Sequence, residues 1–156
     1  MKRATNETIA YIKLLAQDMA GCEPNCAVLA IMFDLRIPVN HHGFEYLKTA
    51  ILLQYENPML VVVNEIYQTI AKMYGNISEE IVATAIRRAI RTAWDHGNKA
   101  IWDTYLPVVT TNKDRPPTNA EVIAGLARII ELWQGCSVAY LRQQHQYTEV
   151  ASIGRK

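Results

Sequence analysis

The sequence predicts an all-helical domain built around a helix-turn-helix. Three observations predict it. Apolar residues recur at spacings of three and four through nearly every segment, which is the period of an amphipathic helix and not the alternation of a strand. The breaks between segments fall at glycine, proline and asparagine, the residues that end or turn helices. One break, Tyr74-Gly75-Asn76-Ile77-Ser78, is short enough to hold two helices in a helix-turn-helix arrangement. No repeat or low-complexity tract interrupts the pattern.

The elements follow in order. Ile9, Ile12, Leu15, Ala16 and Met19 mark a first helix, interrupted by Gly21 and Pro24. A second runs from Asn25, as its cap, to about Leu35, and Ile37-Pro38-Val39 breaks it. Gly43 to Glu56 is a third, with Phe44, Leu47, Ile51 and Leu52 inward and Asn57-Pro58 closing it. Pro58 is suited to open a fourth helix that runs to about Tyr74, with Val62, Ile66, Ile70 and Met73 on one stripe. Ser78 caps a fifth helix, Glu79 to about His96; Ile77 lies just outside the cap, and Gly97-Asn98 are stop residues. Lys99 to Pro117 is less regular and reads as a short helix followed by a hairpin-like or extended excursion. Pro116-Pro117-Thr118-Asn119 starts a long sixth helix with Val122, Ile123, Leu126, Ile129, Ile130 and Trp133 inward. A final helix covers Ser137 to about Tyr147 before a frayed tail.

Totals narrow the function classes. A chain of 156 residues, half of them hydrophobic, fits one domain with a sizeable core. Its 16 basic and 15 acidic residues nearly cancel, so overall charge gives no support to nucleic-acid binding and any such function rests on a local patch. No apolar run is long enough to span a membrane, and MKRATNETIAYIKLLAQ lacks the apolar block and cleavage site of a signal peptide. A cytoplasmic protein with no membrane partner is expected. The odd count of cysteines, Cys22, Cys26 and Cys136, then reads as free thiols. Cys22 and Cys26 with His41 and His42 do not have zinc-finger spacing, so no metal is expected. Asp34 with His41, or Asp95 with His96, can be paired on paper. Neither pair belongs to a nucleophile motif, a phosphate loop or HExxH, so neither a catalytic residue nor a cofactor is expected.

The fifth helix carries the functional question. Val82, Ala85, Ile86, Ala89, Ile90 and Ala93 face inward, and alanines at this density let another helix approach closely. Glu80, Thr84, Arg87, Arg88 and Arg91 face outward, with Arg87 and Arg91 one turn apart. Guanidiniums so placed suit phosphates and guanine edges. The first turns offer Glu79, Glu80, Ile81, Ala83 and Thr84 instead. The acids complement the helix dipole but repel phosphates. An acid can also accept from cytosine, and Ile81 and Thr84 can meet thymine methyls. The residues alone leave two readings open, a DNA-reading helix and a bundle helix with a solvated basic edge. Lys48 and Lys72 are further candidates for backbone phosphates, and Trp94, Trp102, Tyr105 and Trp133 read as packing residues.

A resemblance weighs between these readings. Ile37-Pro38-Val39 with Gly43-Phe44-Glu45-Tyr46-Leu47-Lys48-Thr49-Ala50-Ile51, then Tyr67-x-x-Ile70-Ala71-Lys72-x-Tyr74, then Ala85 to Asn98, then Pro117-Thr118-Asn119-x-Glu121-x-Ile123-Ala124 occur in that order. From about Cys26 to Leu132 the chain resembles the C-terminal DNA-binding effector domain of the stage-zero sporulation response regulator of endospore-forming bacteria. The resemblance implies a compact, all-α response-regulator effector domain of the winged-helix-like class, at residues 25–132. Residues 1–24 and 133–156 are then helical extensions that cover the core or hold a dimer. It further implies binding to short boxes of double-stranded DNA, often as tandem dimers, and regulation of transcription with RNA polymerase. The family's phosphorylated receiver has no room before Cys26, so control by an attached receiver is not expected.

The likeness departs where bases are read. The family's Arg-Val-Glu-Arg is here Ile81-Val82-Ala83-Thr84, and its histidine is Arg88; Arg87 carries over. Each lost bidentate arginine forfeits roughly 1–3 kcal/mol of base discrimination. The candidate DNA-contacting set is therefore Arg87, Arg88, Arg91, Thr84, Glu80, Ile81 and Lys72. Arg115 joins it as a basic residue in the loop before Pro117-Thr118-Asn119; Asn119 reads first as a helix cap or loop anchor and joins the set through a phosphate at the helix N-terminus. The alternative is a non-catalytic helical interaction module that kept the fold, lost specific DNA reading, and binds the sporulation regulator, RNA polymerase or itself.

Overall fold

The structure, a computed structural model, describes residues 23–60, 62–107 and 115–134. Every regular element among them is a helix. In chain order these are α1 (Pro24–Asp34), α2 (His42–Glu56), a π-helical turn (Val62–Ile66) leading into α3 (Tyr67–Met73), α4 (Glu79–His96), α5 (Lys99–Tyr105) and α6 (residues 119–134). The expected helix over Ile9 to Met19, the excursion over 108–114, the final helix from Ser137, and Cys22 and Cys136 lie outside the described residues. No helix among the described residues is long and apolar enough to cross a membrane.

Local chemistry sets the boundaries, and in three places it corrects the expectation. Pro24 opens α1 at its first position, where a missing N–H costs nothing, so Glu23 takes the cap position and Asn25 lies inside the first turn. α1 ends in a Schellman arrangement. The Arg36 N–H donates to the Phe33 carbonyl and the Ile37 N–H to the Met32 carbonyl, both at 3.0 Å, with Arg36 in the left-handed region at φ 60. At the end of α2 the buried Gln54 amide donates to the carbonyls of Asn57, Pro58 and Leu60 at 3.4, 3.1 and 3.3 Å. Those bonds close a turn around Pro58, which therefore does not open a helix. The chain resumes with the wider π turn. The buried face of α3 is Tyr67, Ile70 and Ala71, and it leaves Met73 at its edge, 59% exposed and not on the inward stripe. Gly97 ends α4 in an extended conformation, and a Cβ at that position would strike the Ala93 carbonyl oxygen. Asn98 is a start and not a stop: its side chain accepts from the Ala100 N–H at 2.9 Å and caps α5.

The core forms where α2 and α4 cross, the most extensive pairing among α1 to α5. Phe44, Leu47, Ala50 and Ile51 of α2 meet Val82, Ile86, Ala89, Ile90 and Ala93 of α4 within one buried cluster. Leu52 and Ala85, both expected inward, are half-buried at its margin. The two backbones approach so closely that a Cβ on Gly43 would run into the Ala85 carbonyl and lie 3.0 Å from the Ala89 Cβ. α1 covers one side through Val28, Ile31 and Met32. α6 covers another with the whole expected set, Val122, Ile123, Leu126, Ile129, Ile130 and Trp133. Trp94, Trp102 and Tyr105 are also buried. The two indoles meet edge to face at 5.8 Å, and the Tyr105 hydroxyl donates to Asp34 at 2.6 Å, tying α5 to the end of α1.

Replacing Gly43 with alanine should cost roughly 1–3 kcal/mol in denaturant unfolding, because overpacking against backbone outweighs the gain in helix propensity. Arg36→Gly should act oppositely and stabilise by about 1 kcal/mol, since glycine takes the left-handed position without the Cβ penalty.

Candidate nucleic-acid interface

α3, its turn and α4 form the helix-turn-helix. Gly75 and Asn76 both take positive φ, at 94 and 57, reversing the chain in two residues. The Ile77 N–H reaches back to the Ala71 carbonyl at 3.1 Å, satisfying an acceptor that the end of α3 would otherwise leave open. Tyr74 fixes the turn to α2: its ring meets Tyr46 edge-on at 5.0 Å and its hydroxyl lies 3.0 Å from Thr49 Oγ1. Ile77 packs against the core, and Ser78 Oγ accepts from the Ile81 N–H at 3.2 Å, so α4 starts at the expected cap.

With its inner face fixed by packing, α4 presents Glu80, Ile81, Arg87, Arg88 and Arg91 to solvent, with Thr84 half-buried between them. Among the described residues no ion pair or hydrogen bond engages the guanidinium of Arg87, Arg88 or Arg91. The three do not share one depression. Arg87 and Arg91 line a groove of about 700 Å³ together with Glu79, Glu80, Arg115 and the start of α6. Arg88 lines a smaller groove of about 360 Å³ with Ser78, Glu80, Ile81 and Thr84. Glu80 borders both. Lys72 lines neither groove; it lies beside Gln68, Asn76 and Glu79 in a third depression. Lys48 lies on α2, paired with Glu45 at 3.0 Å.

The start of α6 brings Arg115 to the larger groove. Thr118 and Glu121 form a capping box: the Thr118 N–H donates to Glu121 Oε1 and the Glu121 N–H to Thr118 Oγ1, each at 3.2 Å. The same Glu121 oxygen lies 3.6 Å from Arg115 Nη1, an exposed pair of little energetic consequence but one that biases the side chain's direction. Asn119 is the loop anchor that its place at the start of α6 suggests. It is only 9% exposed, and its amide donates to the Ala83 carbonyl at 2.9 Å and to the Tyr67 hydroxyl at 3.1 Å. Both amide hydrogens are spent inside the fold, so the Asn119 side chain is an anchor between α6, α4 and α3, and a phosphate at this helix start would meet backbone N–H groups instead. The Thr118-x-x-Glu121 spacing carries the capping-box signal in the sequence. Nothing in the sequence marks Tyr67 and Ala83 as the partners of Asn119, because that contact is made across 52 and 36 positions.

Other side chains weighed for chemistry have structural roles. Asp34 accepts from Tyr105, and His42 stacks on Tyr46 at 6.4 Å. Cys26 is an exposed free thiol, and among the described residues no group of His, Cys, Asp or Glu could hold a metal ion.

An all-helical domain that presents the second helix of a helix-turn-helix, basic along its outer side, has the architecture of a DNA-binding regulatory domain. The family model described as sporulation initiation factor Spo0A C terminal matches residues 28–130, about two thirds of the chain. The chain belongs to that family, a DNA-binding regulatory family of sporulation and not a catalytic one.

Two variants test how the site is held. Asn119→Ala should lower unfolding stability by about 1–3 kcal/mol, since it leaves the buried Tyr67 hydroxyl and the part-buried Ala83 carbonyl short of a partner. Ser78→Ala should cost about 1 kcal/mol through loss of the cap. Both are measured by urea titration.

Proposed function

We propose that this chain is a transcriptional regulator that binds duplex DNA with α4 in the major groove. The observation that carries the reading is the set of exposed, uncommitted guanidiniums of Arg87, Arg88 and Arg91 on the outer side of the second helix of the helix-turn-helix. Arg115, arriving from a separate element, widens the basic edge on the Arg87–Arg91 side. In this reading Arg87, Arg91 and Arg115 meet backbone phosphates, Lys72 meets a phosphate beyond the turn, and Arg88, Thr84, Ile81 and Glu80 face base edges. Phosphate contacts supply affinity and register, and base contacts supply sequence preference. A homodimer would set two such helices on one duplex and raise avidity, and RNA polymerase is the partner that regulation of transcription requires.

A second reading has its own support. Glu79 and Glu80 line the same groove as the arginines, Ile81 is exposed beside them, and the whole chain carries a formal charge of only +1. Such a mixed surface suits a protein partner, such as the sporulation regulator or a second copy of the chain, better than it suits a bare polyanion.

Fluorescence anisotropy with a random duplex, titrated with salt, separates the two. DNA binding predicts a linear fall of log K with log salt. Arg87→Ala, Arg91→Ala and Arg115→Ala should each reduce the steepness of that line by about one, while Arg88→Ala should reduce discrimination between sequences. Absence of binding at low salt would leave the protein-partner reading standing.

A further inference from the structure

We infer that Ile81 is a specificity-determining residue that selects thymine by contact with its 5-methyl group. The inference rests on the DNA-binding reading of α4 and names the base feature that its first turns read. Ile81 occupies the third position of α4, where a Ser-capped helix gains most from glutamate or glutamine, because such a residue completes a capping box with Ser78. An isoleucine there forgoes that bond, has only modest helix propensity, and leaves its side chain 54% exposed. Neither helix formation nor core packing accounts for it. Ile81 also lies in line with Thr84 and Arg88 along the smaller groove. Its side chain has no polar atom, so the only major-groove feature it can recognise is the thymine methyl, the one apolar group that a base pair displays there. Glu79 and Glu80, just before it in the same turn, make the approach of this helix end to a phosphate unfavourable and favour a seat over the bases.

The test uses the full chain and has two arms. A randomised duplex pool is first passed over the protein and the retained DNA sequenced; a thymine at a fixed position is expected. That thymine is then replaced by deoxyuridine, which removes only the methyl. Binding should weaken about fourfold, the effect of one buried methyl-sized group. Ile81→Ala should bind the thymine duplex about as weakly as the wild type binds the deoxyuridine duplex, and should no longer distinguish the two. Its circular dichroism should be unchanged, because the replaced side chain is exposed. Binding with no fixed thymine, or an Ile81→Ala variant that keeps the full deoxyuridine penalty, would overturn the inference while leaving DNA binding intact. Failure of the wild type to retain any DNA would overturn it one step earlier, together with the reading on which it rests.

Discussion

The close approach of α2 and α4 at Gly43 is the constraint on which the rest of the structure depends. A helix held against its neighbour with backbone nearly touching backbone has little freedom to rotate about its own axis, because any turn would drive Ala85 or Ala89 into the space that the missing Cβ leaves. The outer side of α4 is therefore fixed by its inner side. Tyr74 and Ser78 fix where the helix begins, and Asn119 fixes its first turns against α6 through the Ala83 carbonyl. These contacts lie at different heights along α4 and come from different elements. Together they fix the helix backbone from which the exposed arginines project, which is what a surface needs if it is to meet a partner of fixed repeat.

Much of this was legible in the sequence, for identifiable reasons. α4 is capped by Ser78 and ends at His96, as local capping and stop residues dictate, and apart from Ala85 at the margin its inward set follows from helical period alone. The inward face of α6 was legible in the same way. The failures share a cause. Pro24, Pro58 and Asn98 are each compatible with starting or ending a helix, and which of the two occurs depends on a neighbour: the Gln54 amide that gathers three carbonyls around Pro58, or the Ala100 N–H that Asn98 finds. Asn119 illustrates the limit most clearly. Its type and place beside a helix start suit a cap, a loop anchor or a phosphate contact, and only the packed tertiary structure shows which partners its side chain holds.

The site itself was half legible. Composition and period put three arginines on the outer side of α4, and the structure keeps them there. Their separation into two grooves, with Glu80 on the ridge between, follows from where the α6 start comes to rest, which no local pattern encodes. The separation matters because it gives neighbouring guanidiniums unlike surroundings. Two stand near a third cation from another element, and one stands beside a threonine and an isoleucine. Charge alone would treat them as interchangeable; their neighbours do not.

The division of α4 into a packed side and an idle side has a consequence for how such a protein changes over generations. Gly43, Ala89, Ser78 and Asn119 are each tied to a structural contact, and exchanges there are penalised. Ile81, Arg87, Arg88 and Arg91 make no side-chain contribution that the scaffold requires, and exposed exchanges of this kind usually shift stability by less than about 0.5 kcal/mol. A lineage can therefore rewrite the outer letters of this helix one at a time, each intermediate still folded, and arrive at a new molecular address without ever rebuilding the frame that carries it.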